Sequence, residues 1–353
     1  MQTVTNDQNI LKMLVLSLTG QCNFACRYCY AHEHPQQAMS FDTAVKAVNL
    51  AASSGKPFVL QFSGGEPLLA FAVMREVIQY VRQQRIPAIM QLQSNAALFT
   101  AEMVTFLRDH KVGIGISLDG RPDINDRLRQ LPDGEGACLH ILAGASQLAA
   151  QGVEVGITCV VSSENVDHLA GIVEMAYYLG NVRRIGFDLL RAQGRGSLLT
   201  PPTAQALTRG LQAALQTARD LEERTGKSLI ISQIERVQTL AQGTMQGFAH
   251  CHSMNGEAAF VDAQGNIYAC SSLVGDENFW LGHVEAGIDP TCQVRISKLI
   301  QDSMAFCNNC PFFRLCGGGC FARWYGSGCT DQAYDVECAL KQVSVKWFQS
   351  QVK

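Results

Sequence analysis

The sequence predicts an α/β fold of six β-then-α units, followed by a small cysteine-rich segment. Three observations predict it. Short apolar, β-rich runs alternate with stretches of helical spacing through roughly the first 230 residues. Beyond about residue 235 that spacing fades, and glycine and cysteine become dense, as in CGGGC at 316–320. The 14 cysteines are also grouped, three at Cys22, Cys26 and Cys29 and six between Cys307 and Cys338.

Each unit can be read in order. The strand runs are 13–18 (MLVLSL), 58–62 (FVLQF), 88–92 (AIMQL), 112–118 (VGIGISL), 153–161 (VEVGITCVV) and 185–190 (IGFDLL). Helical spacing covers 40–54, 71–85, 100–110, 138–151 and 165–179, and a further helix should occupy 203–225 after Pro201-Pro202. Ser40 and Thr100 are placed as N-caps. Repeated β-then-α order implies a parallel sheet with right-handed crossovers. Periodicity leaves two architectures open, a doubly wound sheet and an incomplete barrel. A domain boundary is expected between about 225 and 245, giving 1–235 and 236–353. The second part carries too little apolar sequence to hold itself, so bound metal should supply the missing free energy.

Composition excludes several classes. Of 353 residues, 47% are hydrophobic and 17% charged, with a net charge of -3. That is neither a disordered polyelectrolyte nor a basic surface for nucleic acid. No apolar run approaches the ~18 residues of a membrane span. MQTVTNDQNI lacks the basic and apolar regions of a secretory signal. A cytoplasmic, soluble chain is expected, and in a reducing compartment clustered cysteines read as metal ligands.

Cys22, Cys26 and Cys29 fall on the loop after the first strand, the edge where parallel α/β folds bind ligands. Three thiolates on a [4Fe–4S] cube leave one iron open, and an open position is what chemistry requires. The alternative is zinc with His32 or His34 as fourth ligand.

CNFACRYC at 22–29 resembles the CxxxCxφC motif of the radical S-adenosylmethionine (SAM) superfamily, with Tyr28 at the aromatic position. Ser63-Gly64-Gly65-Glu66-Pro67 resembles its GGEP motif, and Ser117-Leu118-Asp119-Gly120 the SxDG of its peptide- and protein-modifying members. Ser94-Asn95 stands where that group has Thr-Asn. The resemblance implies an incomplete (β/α)6 TIM-like radical SAM barrel. It implies that SAM chelates the open iron and that its reduction yields a 5′-deoxyadenosyl radical. Gly64, Gly65, Glu66 and Pro67 would then approach the methionyl group, Glu66 accepting from its ammonium. Asn95 would also contact SAM, Ser117 would meet ribose or carboxylate, and Tyr28 would lie near adenine.

The later cysteines resemble the SPASM domain that follows the barrel in many radical SAM maturases. Two auxiliary [4Fe–4S] clusters are implied. Cys307, Cys310, Cys316 and Cys338 would hold the distal one, and Cys251, Cys270 and Cys320 the proximal one. Some members carry one more cysteine just before the position of Cys251, and QGTMQGFAH has none. The proximal site thus has an open iron, a substrate thiolate, or a ligand such as His250 or His252. Cys292 and Cys329 are spare thiols, and Cys138 and Cys159 read as small core hydrophobes. Zinc is again the alternative for CxxC-x5-C.

SPASM relatives mostly modify ribosomally made peptides or proteins by thioether or carbon–carbon crosslinks or by side-chain oxidation. The expected partners are a peptide or protein substrate encoded nearby and a flavodoxin or ferredoxin as electron donor, with no nucleic acid and no membrane. Sulfatase maturation is an alternative, although Ser271 and Ser272 stand after Cys270 where those enzymes carry an acid. A non-catalytic iron–sulfur electron carrier is another, but it needs neither GGEP nor Ser117. With about a dozen residues before the first strand, no N-terminal peptide-recognition domain is expected. Asp188, Arg191 and Arg195 are candidates for substrate or SAM contact at the sixth strand's end, against a surface loop that pairs charges. His32 and His34 are acid–base candidates or exposed loop residues. Three clusters predict about twelve irons per chain and a brown absorbance near 400 nm. Iron assay of the anaerobically reconstituted chain checks it; one or two metal equivalents of zinc would contradict it.

Overall fold

A computed structural model describes residues 10–243 and 247–351. The first nine residues, expected to carry no secretory signal, and part of QGTMQGFAH lie outside the described residues. The chain alternates through β1 (Met13–Ser17), α1 (Phe41–Ala52), β2 (Phe58–Ser63), α2 (Phe71–Gln83), β3 (Ala88–Ser94) and α3 (Ala101–Asp109). It continues with β4 (Gly113–Ser117), α4 (Pro122–Leu128), α5 (Cys138–Ala150), β5 (Val155–Val161), α6 (Leu169–Leu179), β6 (Val182–Leu189) and α7 (Ala204–Thr225). Then come β7 (Ile230–Ile231), α8 (Ser232–Gln242), β8 (Ala258–Val261), β9 (Asn266–Tyr268), β10 (Trp280–His283), β11 (Gly287–Ile288) and α9 (Pro290–Ser303). The last helices are α10 (Phe313–Cys316), α11 (Phe321–Gly326) and α12 (Asp335–Gln351). The six expected β-then-α units are all present.

Local chemistry accounts for the boundaries. Ser40 Oγ accepts from Thr43 N–H at 3.0 Å, and Thr100 Oγ1 from Met103 N–H at 3.2 Å, so both N-caps hold. α1 buries Ala44, Ala47, Val48 and Ala51, one stripe at helical spacing. α6 and α7 end at Gly180 and Gly226, whose φ of 77° and 66° suits the left-handed cap. α6 starts at Leu169 rather than 165, because a tight 3-10 turn at Val166–His168 precedes it. α4, not expected, opens on Pro122.

The chain divides into two compact units. The first holds the described residues up to Gln21, then Glu33–Leu92 and Cys251–Asp302. The second holds Cys22–His32, Gln93–His250 and the residues from Ser303. In the first, β8, β1, β2 and most of β3 lie parallel in that order, and β9, β10 and β11 continue antiparallel from β8. In the second, β4, β5, β6 and β7 are parallel neighbours. Both units include chain from either side of residue 235.

The expectation that helical structure fades after residue 235 is corrected by α8, α9 and α12. The cause is visible in α12. Its buried side includes Glu337, Lys341 and Ser344 beside Val336, Leu340, Val343 and Val345. Polar residues on an inward face erase the apolar stripe that a sequence reading seeks. β8 is buried at every position because it pairs with β1 in the first unit's sheet.

β1 is hydrogen-bonded on both sides, and Leu14 and Leu16 are fully buried. Leu16→Ala should therefore cost about 2–5 kcal/mol through lost burial and an unfilled cavity. Urea unfolding followed by circular dichroism measures this; an unchanged midpoint would contradict the packing.

Candidate functional site

Cys22, Cys26 and Cys29 sit on a half-buried loop of the second unit. Backbone bonds pin it, Ala25 N–H donating to Gln130 O at 2.7 Å and Arg27 N–H to Leu128 O at 2.9 Å. Tyr28 adds a side-chain anchor: its hydroxyl donates to Asp119 Oδ2 at 2.5 Å. Arg129 Nε lies 2.9 Å from the same oxygen, and its guanidinium stands 5.3 Å from the Tyr28 ring centre. Asp119 Oδ1 also accepts from Val160 N–H at 2.8 Å. Burial, first, pushes the Tyr28 hydroxyl well above its ordinary range. Burial opposes the charge on Arg129, but the Asp119 carboxylate outweighs it and the guanidinium stays protonated.

Polar hydrogens are aimed at the first thiol. Phe24 N–H donates to Cys22 Sγ at 3.4 Å, and Asn95 Nδ2 stands 3.8 Å from it while donating to Asn23 Oδ1 at 2.8 Å. Cys26 and Cys29 lie within electrostatic reach of one another, and burial raises the Cys26 thiol. Arg195 N–H donates to Cys29 O at 3.0 Å, and Arg191 stacks over Tyr30 at 4.8 Å. Ser117 Oγ accepts from Gln93 Nε2 at 3.0 Å. Beside this loop, Arg191 Nε, Gln193 Oε1 and Arg195 Nε are buried without a hydrogen-bond partner. Such groups are costly unless something else satisfies them.

Gly64 and Gly65 lie in the first unit, against the chain leading to the cysteines. A Cβ on Gly64 would stand 2.4 Å from Thr19 O, and one on Gly65 2.3 Å from Gln21 O. Gly65 N–H donates to Thr19 O at 2.7 Å and Glu66 N–H to Gln21 O at 2.8 Å. The absence of a side chain thus serves this backbone contact directly. Glu66 is fully buried, and its Oε1 accepts from Leu68 N–H at 3.0 Å, capping the turn that opens with Pro67. The exposed-loop reading of His34 is corrected: it is buried at 7% exposure, edge-on to Phe260.

In the second unit Cys307, Cys310, Cys316 and Cys338 form a mutually interacting group. Burial, followed by the charges of Cys307, Glu337, Cys310 and Cys316, pushes Cys338 up to about 12. Burial pushes Cys307 up to about 11, against an opposing Gly319 N–H bond. Gly318 N–H donates to Cys316 Sγ at 3.3 Å. Four mutually interacting thiols, two of them under backbone donors, fit a thiolate-held iron–sulfur centre, because iron replaces the protons that burial otherwise enforces. Among the described residues no three His, Cys, Asp or Glu converge on a point that could hold one metal ion. A cube spreads its ligands over four irons and needs no such convergence. Cys251 and Cys270 belong to the first unit and Cys320 to the second.

Asp188, at the end of β6, is held by Arg191 Nη2 at 2.9 Å and by Arg323. Burial works to raise its carboxyl, but the two guanidiniums outweigh it and hold it below the usual range. Arg323 also grips Glu337, Nε to Oε2 at 2.7 Å and Nη2 to Oε1 at 3.0 Å. Sequence reasoning missed Arg129, Arg323, Glu337 and Gln193. Only adjacency hinted at them, Arg323 three residues after Cys320 and Glu337 next to Cys338.

Residues 16–176 match the model of the Radical SAM superfamily. An uncharacterized protein of Methanocaldococcus jannaschii is 29% identical over 267 residues, covering 75% of this chain and 86% of that one. The cysteine-type anaerobic sulfatase-maturating enzyme of Clostridium novyi is 23% identical, covering 88% of this chain and 87% of that one. A structure of native anSMEcpe with bound AdoMet and the Cp18Cys peptide superposes with a TM-score of 0.79 at 19% identity, over 96% of this chain and 97% of that one. The α/β fold with its parallel sheet is therefore a radical SAM fold, and the cysteine-rich C-terminal region is consistent with a SPASM domain.

Asp119→Asn should leave Arg129 charged, buried and poorly paired, costing about 3–5 kcal/mol. Tyr28→Phe loses one hydrogen bond and should cost about 1–3 kcal/mol. Thermal melts of the two variants check this order; equal losses would contradict it.

Proposed function

Because the chain carries a radical SAM domain, we propose that it is a maturase which modifies a ribosomally made peptide or protein by thioether or carbon–carbon crosslinking or by side-chain oxidation. The observation that carries this reading is the three-cysteine loop, pinned by Tyr28–Asp119–Arg129 and bordered by unpartnered Arg191, Gln193 and Arg195 atoms. Cys22, Cys26 and Cys29 would hold a [4Fe–4S] cluster, and SAM bound there would supply radical chemistry able to take a hydrogen from substrate. The residues' work is to bind and orient. Asn95 steadies the first thiol, and Ser117 offers a hydroxyl for ribose or carboxylate. Gly64, Gly65, Glu66 and Pro67 shape the methionyl edge. Tyr28 is constrained: Arg129 stands over its ring, so adenine would meet the remaining edge or face. Buried donors excluded from water bind an anionic ligand strongly, and the arginines beside the loop suit the SAM carboxylate or substrate.

In this reading 1–235 is the radical-generating part and 236–353 the auxiliary-cluster part. Cys307, Cys310, Cys316 and Cys338 would hold one cluster, and Cys251, Cys270 and Cys320 are proposed for another, with a substrate thiolate or a further ligand such as His250 or His252 able to complete it. Two clusters suit reactions in which the substrate radical gives up a second electron. A flavodoxin or ferredoxin would supply the reducing electron. Among the described residues no helix is long and apolar enough to cross a membrane, in keeping with a cytoplasmic enzyme.

A peptide substrate is supported by the relative named a sulfatase-maturating enzyme and by the peptide-bound neighbour. Formylglycine formation is the second reading, favoured by that relative's near full-length alignment. Against it, Cys270 is followed by Ser271 and Ser272, and the buried Ser272 hydroxyl lacks the basicity of a carboxylate. Reduced enzyme with SAM should release 5′-deoxyadenosine, and Cys26→Ala should bring it to background. Peptides encoded beside the gene should change mass on incubation; deoxyadenosine without any mass change would count against the peptide reading.

A further inference from the structure

Two buried charges on α12 flank Cys338 without a role in the chemistry above. Glu337 is 3% exposed and Lys341 9% exposed. They are four residues apart, hence neighbours on one helix face. Glu337 Oε1 accepts from Cys320 N–H at 3.1 Å, and both its oxygens hold Arg323. A Cβ on Gly319 would stand 2.7 Å from Glu337 Cγ, so the last glycine of CGGGC leaves room for this carboxylate. Glu337 acts electrostatically on Cys307, Cys316 and Cys338. Lys341 acts on Cys316, and its Nζ stands 2.8 Å from His250 Nδ1.

Glu and Lys are almost never this buried unless paired, and apolar residues of similar volume hold a helix in place at least as well. Charge at these positions therefore points to a task that charge performs. An iron–sulfur cluster gains one negative charge on reduction, so a fixed anion nearby opposes reduction and a fixed cation favours it. We propose that Glu337 and Lys341 are an opposed positioning pair that sets the reduction potential of the cluster on Cys307, Cys310, Cys316 and Cys338, Glu337 holding it down and Lys341 holding it up. Through Cys320 N–H and Arg323, Glu337 also fixes the segment between Cys316 and Cys320. The inference rests on the proposed assignment of those four cysteines.

The experiment is an EPR-monitored potentiometric titration of the full-length, anaerobically reconstituted chain, carrying Cys26→Ala and Cys270→Ala so that neither of the other two proposed clusters overlaps. Glu337→Gln keeps the shape and an acceptor for Cys320 N–H but removes the charge, and the midpoint potential should rise. Lys341→Gln should lower it. Glu154→Gln, at an exposed carboxylate paired with Arg183 outside this network, should leave it in place. Shifts of the same sign in the first two variants, or none in either, overturn the proposal. Should Glu337→Gln lose its iron, the sign of the Lys341→Gln shift decides alone, downward in support and upward or absent against. Iron content tests the assignment separately: a Cys307→Ala, Cys310→Ala double variant should lose about four irons by cluster stoichiometry. Retention of all iron would remove the assignment, and the proposal with it.

Discussion

The second unit depends on one buried carboxylate. Asp119 is fully enclosed, and every polar atom it owns is used. Its Oδ2 takes the Tyr28 hydroxyl and the Arg129 guanidinium, its Oδ1 takes Val160 N–H, its N–H goes to Asn125 and its carbonyl takes Asn165 Nδ2. Five groups from β5, α4, the cysteine loop and two connections are thus held to one point. An isolated buried carboxylate is prohibitively costly, and this one is tolerable because its partners are complete. The cysteine loop inherits that rigidity through Tyr28, two residues beyond Cys26.

The C-terminal cysteines meet the same requirement by other means. Gly317 and Gly318 adopt positive φ, which turns the Gly318 N–H onto Cys316, and Gly319 yields space to Glu337. Here the order comes from backbone donors and a buried ion network of Glu337, Arg323 and Asp188. Asp188 lies at the end of β6 and Glu337 on α12, so a strand and a helix distant in sequence share one guanidinium. Sharing Arg323 between two carboxylates satisfies its planar fork from both sides.

Much of this protein was legible in one dimension. The six β-then-α units follow from alternating periods of two and 3.6, and the N-caps Ser40 and Thr100 from hydroxyl chemistry. The cysteine loop stood out by the spacing of its thiols, whereas Gly64-Gly65 and Ser117 stood out only through their resemblance to motifs of the radical SAM superfamily. The helices after residue 235 were not, since α12 buries Glu337, Lys341 and Ser344 and so shows no apolar stripe. Nor could spacing show that Gly64 and Gly65 are bare against Thr19 and Gln21, or that Tyr28 is tied to a carboxylate 91 residues away.

The sequence by itself determined the class of fold, the positions of the thiols and the places where a side chain is forbidden, because each is a property of residue type and local period. The tertiary structure alone decided which charges meet: Asp119 with Arg129, Asp188 with Arg323, Glu337 with Cys320 N–H. Buried polar groups select partners by distance and geometry across loops of any length, and no linear pattern records that choice.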